Sequence, residues 1–87
     1  MSFDPAFAQR QYQTFKAVLT RRLNVAQAQQ TVVAWRAVLQ AVEAFAAYYR
    51  VSAEPMPDFW HRWQRAGDDA VFALRRLDVS VSPVEFN

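Results

Sequence analysis

The apolar side chains of the first stretch, Phe3, Phe7, Ala8, Tyr12, Phe15, Val18, Leu19 and Leu23, fall in one broad sector when residues are placed about 100° apart. That is the spacing of a helix with one face on a core. Asp4-Pro5 supplies a start signal, since the Asp4 carboxylate can accept from a free first-turn amide and proline suits the first helical position. Beyond them, no glycine or proline interrupts the chain between Ala6 and Glu54, where alanine, glutamine, leucine and arginine keep the local preference helical.

From Val32 onward the bulky residues Val32, Trp35, Val38, Leu39, Val42, Phe45 and Tyr49 recur in a sector roughly opposite the first, if one helix is continued without a break. A straight helix over 5–50 would then be apolar on two sides. A break near Leu23-Asn24-Val25 removes the conflict, because Asn24 followed by Gln27 has the form of a capping box and resets the phase. The pattern therefore predicts helices over about 5–23 and 25–50, joined as a hairpin.

The second helix should end before the connector from Val51 to Pro57, where Pro55 and Pro57 push the preceding residues into extended backbone. A third helix follows over about 57–77, with Phe59, Trp63, Ala66, Ala70, Leu74 and Leu77 at the spacing of a bundle helix. Gly67 borders that stripe, either tolerated or required by the close approach of another helix. The end of the chain, Asp78 to Asn87, changes to alternation of period two and should be extended, packing on its own bundle or on a neighbour; Ser82-Pro83-Val84-Glu85 could also start a single helical turn. The fold predicted is all-α: one domain over 1–87, a three-helix bundle with an extended C-terminal tail.

Two features of the second helix carry the functional expectation. One seam, Ala28, Val32, Trp35, Leu39, Val42, Ala46 and Tyr49, is bulky and belongs against the other helices. A second, Ala26, Gln30, Val33, Ala37, Ala41, Ala44, Tyr48 and Val51, keeps nearly the same rhythm in mostly small residues, which lets another helix axis come close. Charge on this helix is confined to a narrow strip of Arg36, Glu43 and Arg50. A domain of 87 residues that is 53% apolar and 15% aromatic has more apolar surface than one small core should hide. Either the first and third helices cover both seams within one chain, or the surplus points to an interface with another protein chain, a second copy of this one being the partner expected.

Composition narrows the chemistry. The chain has no cysteine, so disulfides and thiolate metal sites are excluded. One glycine cannot build a phosphate-cradling loop. His61 is the sole histidine, it has no nucleophile at a recognisable spacing, and Asp68 and Asp69 lie two turns along the same helix, too far to share an ion with it. No cofactor, metal or catalytic residue is expected. No apolar run approaches the ~20 residues that span a bilayer, and the first residues lack the form of a signal peptide, so a cytoplasmic protein without membrane contact is expected.

The net charge is only +2, with the surplus in the first helix, where Arg10, Lys16, Arg21 and Arg22 outweigh Asp4. A nucleic-acid-binding module using Arg10, Arg21, Arg22, Arg62 and Arg65 is the alternative reading, weakened by their scatter around the helices. In the run from Phe59 to Arg65, Phe59 and Trp63 point inward, Trp60 sits at the edge of the core stripe and the arginines face out. Phe72 lies on the polar side of the third helix, and with Trp60, Arg65 and Arg76 it forms a candidate anchor for a partner.

Overall fold

The computed structural model describes residues 4–52, 54–58 and 60–86 and contains three helices: α1 (Pro5–Gln29), α2 (Val32–Val51) and α3 (Trp60–Arg76). Asp4 opens α1 as expected, its Oδ1 accepting from the amides of Ala6 at 3.1 Å and Phe7 at 3.4 Å. The helix does not break at Asn24. It continues to Gln29, which corrects the boundaries predicted for the first two helices and places Ala26 and Ala28 on α1 rather than α2.

The turn consists of Gln30 and Thr31. Gln30 adopts the left-handed conformation, φ 54°, and its amide donates to the Ala26 carbonyl at 2.8 Å. Thr31 caps α2, its Oγ1 accepting from the Ala34 amide at 3.2 Å. The Trp35 indole Nε1 donates to Gln30 Oε1 at 3.3 Å, a polar link between the residue before the cap and the fourth helical residue, where an apolar staple often sits. Helix continuation wins at Asn24 because that side chain is exposed, while Ala26 two residues later is fully buried in the contact with α2.

The helices run up, down and up, and α2 packs against both others. It is the central element. Nine of its residues are buried, against two on α1 and six on α3. Phe45, with no exposed surface, stacks on Trp63 with ring centroids 4.0 Å apart and planes within 5°. Phe15 of α1 meets both edge-on, at 5.9 Å and 6.4 Å, and Tyr12, Tyr48, Tyr49 and Phe86 complete the cluster. This one node takes in most of the aromatic content and ties every element together. The expected inward positions Trp63, Ala66, Ala70 and Leu74 are buried; Leu77, past the end of α3, is 40% exposed. Phe3 and Phe59 lie outside the described residues.

The third helix starts at Trp60, later than predicted, with the Trp60 amide donating to the Pro57 carbonyl at 3.1 Å. It closes in a Schellman arrangement: the Val79 amide donates to the Leu74 carbonyl at 2.9 Å, the Asp78 amide to the Arg75 carbonyl at 3.0 Å, and Asp78 has φ 64°. The chain then folds back as an extended strap. Val79, Val81, Val84 and Phe86 are half-buried against the core, while Ser80, Ser82, Pro83 and Glu85 face out, and no helical turn forms at Ser82. Arg75 Nη2 donates to the Val81 carbonyl at 3.0 Å and Arg50 Nη2 to the Glu85 carbonyl at 2.7 Å. Eight extended residues span about 26 Å, close to the ~25 Å length of α3, so the strap retraces α3 from end to end. It packs on its own bundle.

Gly67 is explained by this packing. A Cβ there would lie 3.1 Å from Val42 Cγ1 of α2 and 3.8 Å from Val84 Cγ2 of the strap. Close approach of a neighbouring helix is the reason for the glycine.

Candidate functional site

With α1 on one flank of α2 and the strap on the other, one side of the central helix is left uncovered. Measured from Val42, which points straight into the core, Val33, Ala37, Gln40, Ala44, Ala47 and Val51 all lie within about 40° of the opposite direction. Their steps are four, three, four, three, four. Val33 is 80% exposed and Val51 83%, Gln40, Ala44 and Ala47 are exposed, and Ala37 is half-covered. No charged residue stands in this line. Two nearly bare β-branched residues on a helix gain nothing from that position in a lone chain, because each loses side-chain freedom in the helix and hides little apolar surface.

The flanks differ. Ala34 and Ala41 are buried, and Tyr48 packs its ring on Phe15 at 5.3 Å, so this side of α2 belongs to the contact with α1. Arg36, Glu43 and Arg50 form the other flank, Glu43 and Arg50 beside the strap, and all three are exposed. A shallow groove of about 190 Å³ follows the α1 side, with Phe15, Val18 and Ala44 among its walls. Arg22 of α1 crosses nearby, and its Nη1 donates to the Ala37 carbonyl at 2.9 Å. The small side chain at position 37 leaves that carbonyl accessible, and the bond fixes α1 on α2.

Of the seam residues expected from the sequence, Val33, Ala37, Ala44 and Val51 therefore share the uncovered side. Ala41 and Tyr48 turn toward α1, Ala26 is buried on α1, and Gln30 forms the turn. Gln40 and Ala47 take their places, and sequence reasoning missed both. The signal was present, since 37, 40, 44 and 47 keep the same three-four rhythm as 37, 41, 44 and 48; only the position of α1 decides between the two.

Tyr48 has a separate task. Its hydroxyl donates to Glu54 Oε1 at 2.8 Å, pinning the connector to the end of α2, while Glu54 Oε2 is shielded with no hydrogen-bond partner among the described residues. The bond to Glu54, aided by desolvation, raises the Tyr48 pKa. Burial, reinforced by the charges of Glu54 and the neighbouring tyrosines, pushes Tyr49 up to about 12.

The expected anchor residues do not gather in one place. Trp60 is half-buried at the start of α3, stacked on His61 at 3.9 Å and near Phe86 at 5.9 Å. Phe72 lies about 18 Å further along the helix, 64% exposed, with the Arg76 guanidinium 5.8 Å from its ring centre. Arg65 is exposed about two turns before Phe72. Beside Phe72 an open groove of about 680 Å³ separates the ends of α1 and α3, with Gln30, Trp35 and Leu77 among its walls.

The arginines of the alternative reading are divided between α1 and α3, with Arg22 engaged by the Ala37 carbonyl. Among the described residues there is no cluster of three or more metal-ligating side chains, and no helix is long and apolar enough to cross a membrane. No protein-family model, curated protein or solved structure matches the chain. The uncovered side of α2 remains as the feature from which a function can be argued.

Proposed function

We propose that the protein is a non-catalytic interaction module, an adaptor, inhibitor or small assembly subunit, that self-associates through the uncovered side of α2. The observation that carries this reading is the line of Val33, Ala37, Gln40, Ala44, Ala47 and Val51, apolar but for one neutral amide, on the helix that otherwise forms the centre of the core. Alanine at the middle of the line lets a second helix approach toward the ~8 Å end of the usual range of axis separations.

Sedimentation equilibrium over a concentration series tests the reading, with Ala44→Arg as the comparison. Ala44 is exposed and its side chain supports nothing in the core, so the variant should keep its helical signal and its cooperative unfolding. The native chain should move from monomer to dimer as concentration rises, and the variant should stay monomeric. A native chain that is monomeric throughout, or an Ala44→Arg chain that associates as the native one does, overturns the proposal.

A further inference from the structure

We infer that the two copies meet antiparallel, α2 on α2 across a two-fold axis, with Arg36 of each chain paired to Glu43 of the other. This rests on the self-association proposed above and adds the orientation, the register and the residues that make the surface self-selective.

The inference follows from the unequal flanks of the seam. Written as heptads, Val33, Gln40 and Ala47 occupy one core position and Ala37, Ala44 and Val51 the other. One flank is then Ala34, Ala41 and Tyr48, already committed to α1. The other is Arg36, Glu43 and Arg50. In a parallel two-fold pair the axis runs along the helices, so the charged flank of each copy lies over the apolar flank of the other. Charges would lose water there and gain no partner. In an antiparallel pair the axis is perpendicular to the helices, and the charged flank of each copy faces the same flank of its mate. Only that arrangement brings Arg36, Glu43 and Arg50 against their counterparts.

Register follows from the order of the signs. If the two seams overlap fully, Glu43 meets Glu43 and Arg36 meets Arg50, which sets like against like at every position. A slip of one heptad, about 10 Å, removes the conflict. It can pair Arg36 with Glu43 or Glu43 with Arg50. Arg50 is already occupied, its Nη2 donating to the Glu85 carbonyl of the strap at 2.7 Å. Arg36 and Glu43 are exposed and held by no other described residue. The free pair is therefore Arg36 with Glu43, made twice by symmetry, with Ala37 layered on Gln40 and Val33 on Ala44 between the helices, so that the contact centres on 33–44 and Ala47 and Val51 lie beyond it.

Charge reversal tests this without touching the core. At the paired positions 36 and 43 an R36E chain carries two acids and an E43R chain two bases, so each alone should self-associate roughly tenfold more weakly than the native chain. Mixed in equal amounts, the two should form a heterodimer of near-native affinity, read by native mass spectrometry with one chain isotopically labelled. Circular dichroism checks that each variant is folded. If Ala44→Arg abolishes association but the R36E and E43R chains form no mixed dimer, the antiparallel register is wrong and the seam stands. Pairing of E43R with R50E in its place also overturns the register. If Ala44→Arg leaves association intact, the seam itself is not the interface, and this inference goes with it.

Discussion

Replacing Gly67 by alanine sets two known effects against each other at one atom. In a helix interior alanine is favoured over glycine by about 1 kcal/mol, so on propensity alone the change should stabilise α3. The new methyl, however, would lie 3.1 Å from Val42 Cγ1, inside ordinary contact distance. Val42 has no exposed surface, and its branched side chain strongly prefers one rotamer in a helix, so the methyl group has no easy direction in which to yield. Overpacking of this kind costs about 1–3 kcal/mol, leaving a net loss of roughly 0–2 kcal/mol. For a domain of this size each 1 kcal/mol lowers the melting temperature by about 4–8 °C.

The decisive comparison is the same substitution in a Val42→Ala background. Removing two buried methyl groups costs on the order of 2 kcal/mol, which a chain with about 4–13 kcal/mol of stability can lose and still fold. The obstructing atom is then gone, Val84 at 3.8 Å is an ordinary contact, and Gly67→Ala should stabilise by up to about 1 kcal/mol. The sign of one mutation thus reverses with the presence of the Val42 methyl groups. Urea melts of the four proteins give the coupling directly, expected at about 1–3 kcal/mol. An effect of Gly67→Ala that is equal within about 0.5 kcal/mol in both backgrounds would refute the close approach of α2 as the reason for the glycine.

Asp78 holds the left-handed position that closes α3, a conformation costly for residues with a side chain, so Asp78→Gly should raise stability by about 1 kcal/mol, seen as a higher urea midpoint with an unchanged slope. Alkaline pH should weaken the fold through Tyr49: with its pKa raised from the ordinary 10.0 to about 12 in the folded chain, the folded state keeps a proton between those values that the unfolded state has lost. Stability from this group is fully present below pH 10 and falls away as pH rises through about 12. Tyr49→Phe should flatten that part of the curve, and a spectrophotometric titration in which every tyrosine of the folded chain ionises at its ordinary value would contradict the burial argument.

The helical spacing, the two proline-bounded ends and the inward stripes of α2 and α3 were legible because each rests on local periodicity, which burial merely selects. The turn was not. Asn24 and Gln27 have the form of a capping box, whereas Thr31 is followed at the third helical position by Ala34, which cannot complete one. The signal that could have found the turn is the run Thr31-Val32-Val33, three β-branched residues that enter a helix less readily than the alanines and glutamines before them. What places the break is tertiary: two further turns of α1 bring Ala26 into the core, where Ala34 at the start of α2 is also buried. The strap was legible as an extended segment by its alternation, but its destination depends on a match of lengths between elements that no local pattern contains.

The uncovered side of α2 was half legible for a related reason. A helix sampled at three-four spacing offers several overlapping rhythms, and α2 carries small residues on two adjacent ones. Arg22, Phe15 and Tyr48 settle the matter, since each fixes α1 on the side of Ala41 and leaves Gln40 and Ala47 uncovered. The outcome has a consequence for how such a surface works. Exposed alanine costs a lone chain little, so the uncovered side does not force association, and what a second helix gains is close contact along the backbone more than hidden area. Close contact alone does not choose a partner or a direction. In the pairing proposed for α2 that selection falls to the flank that stays wet, where Arg36 and Glu43, both exposed, stand one heptad apart and complement their own reversed image.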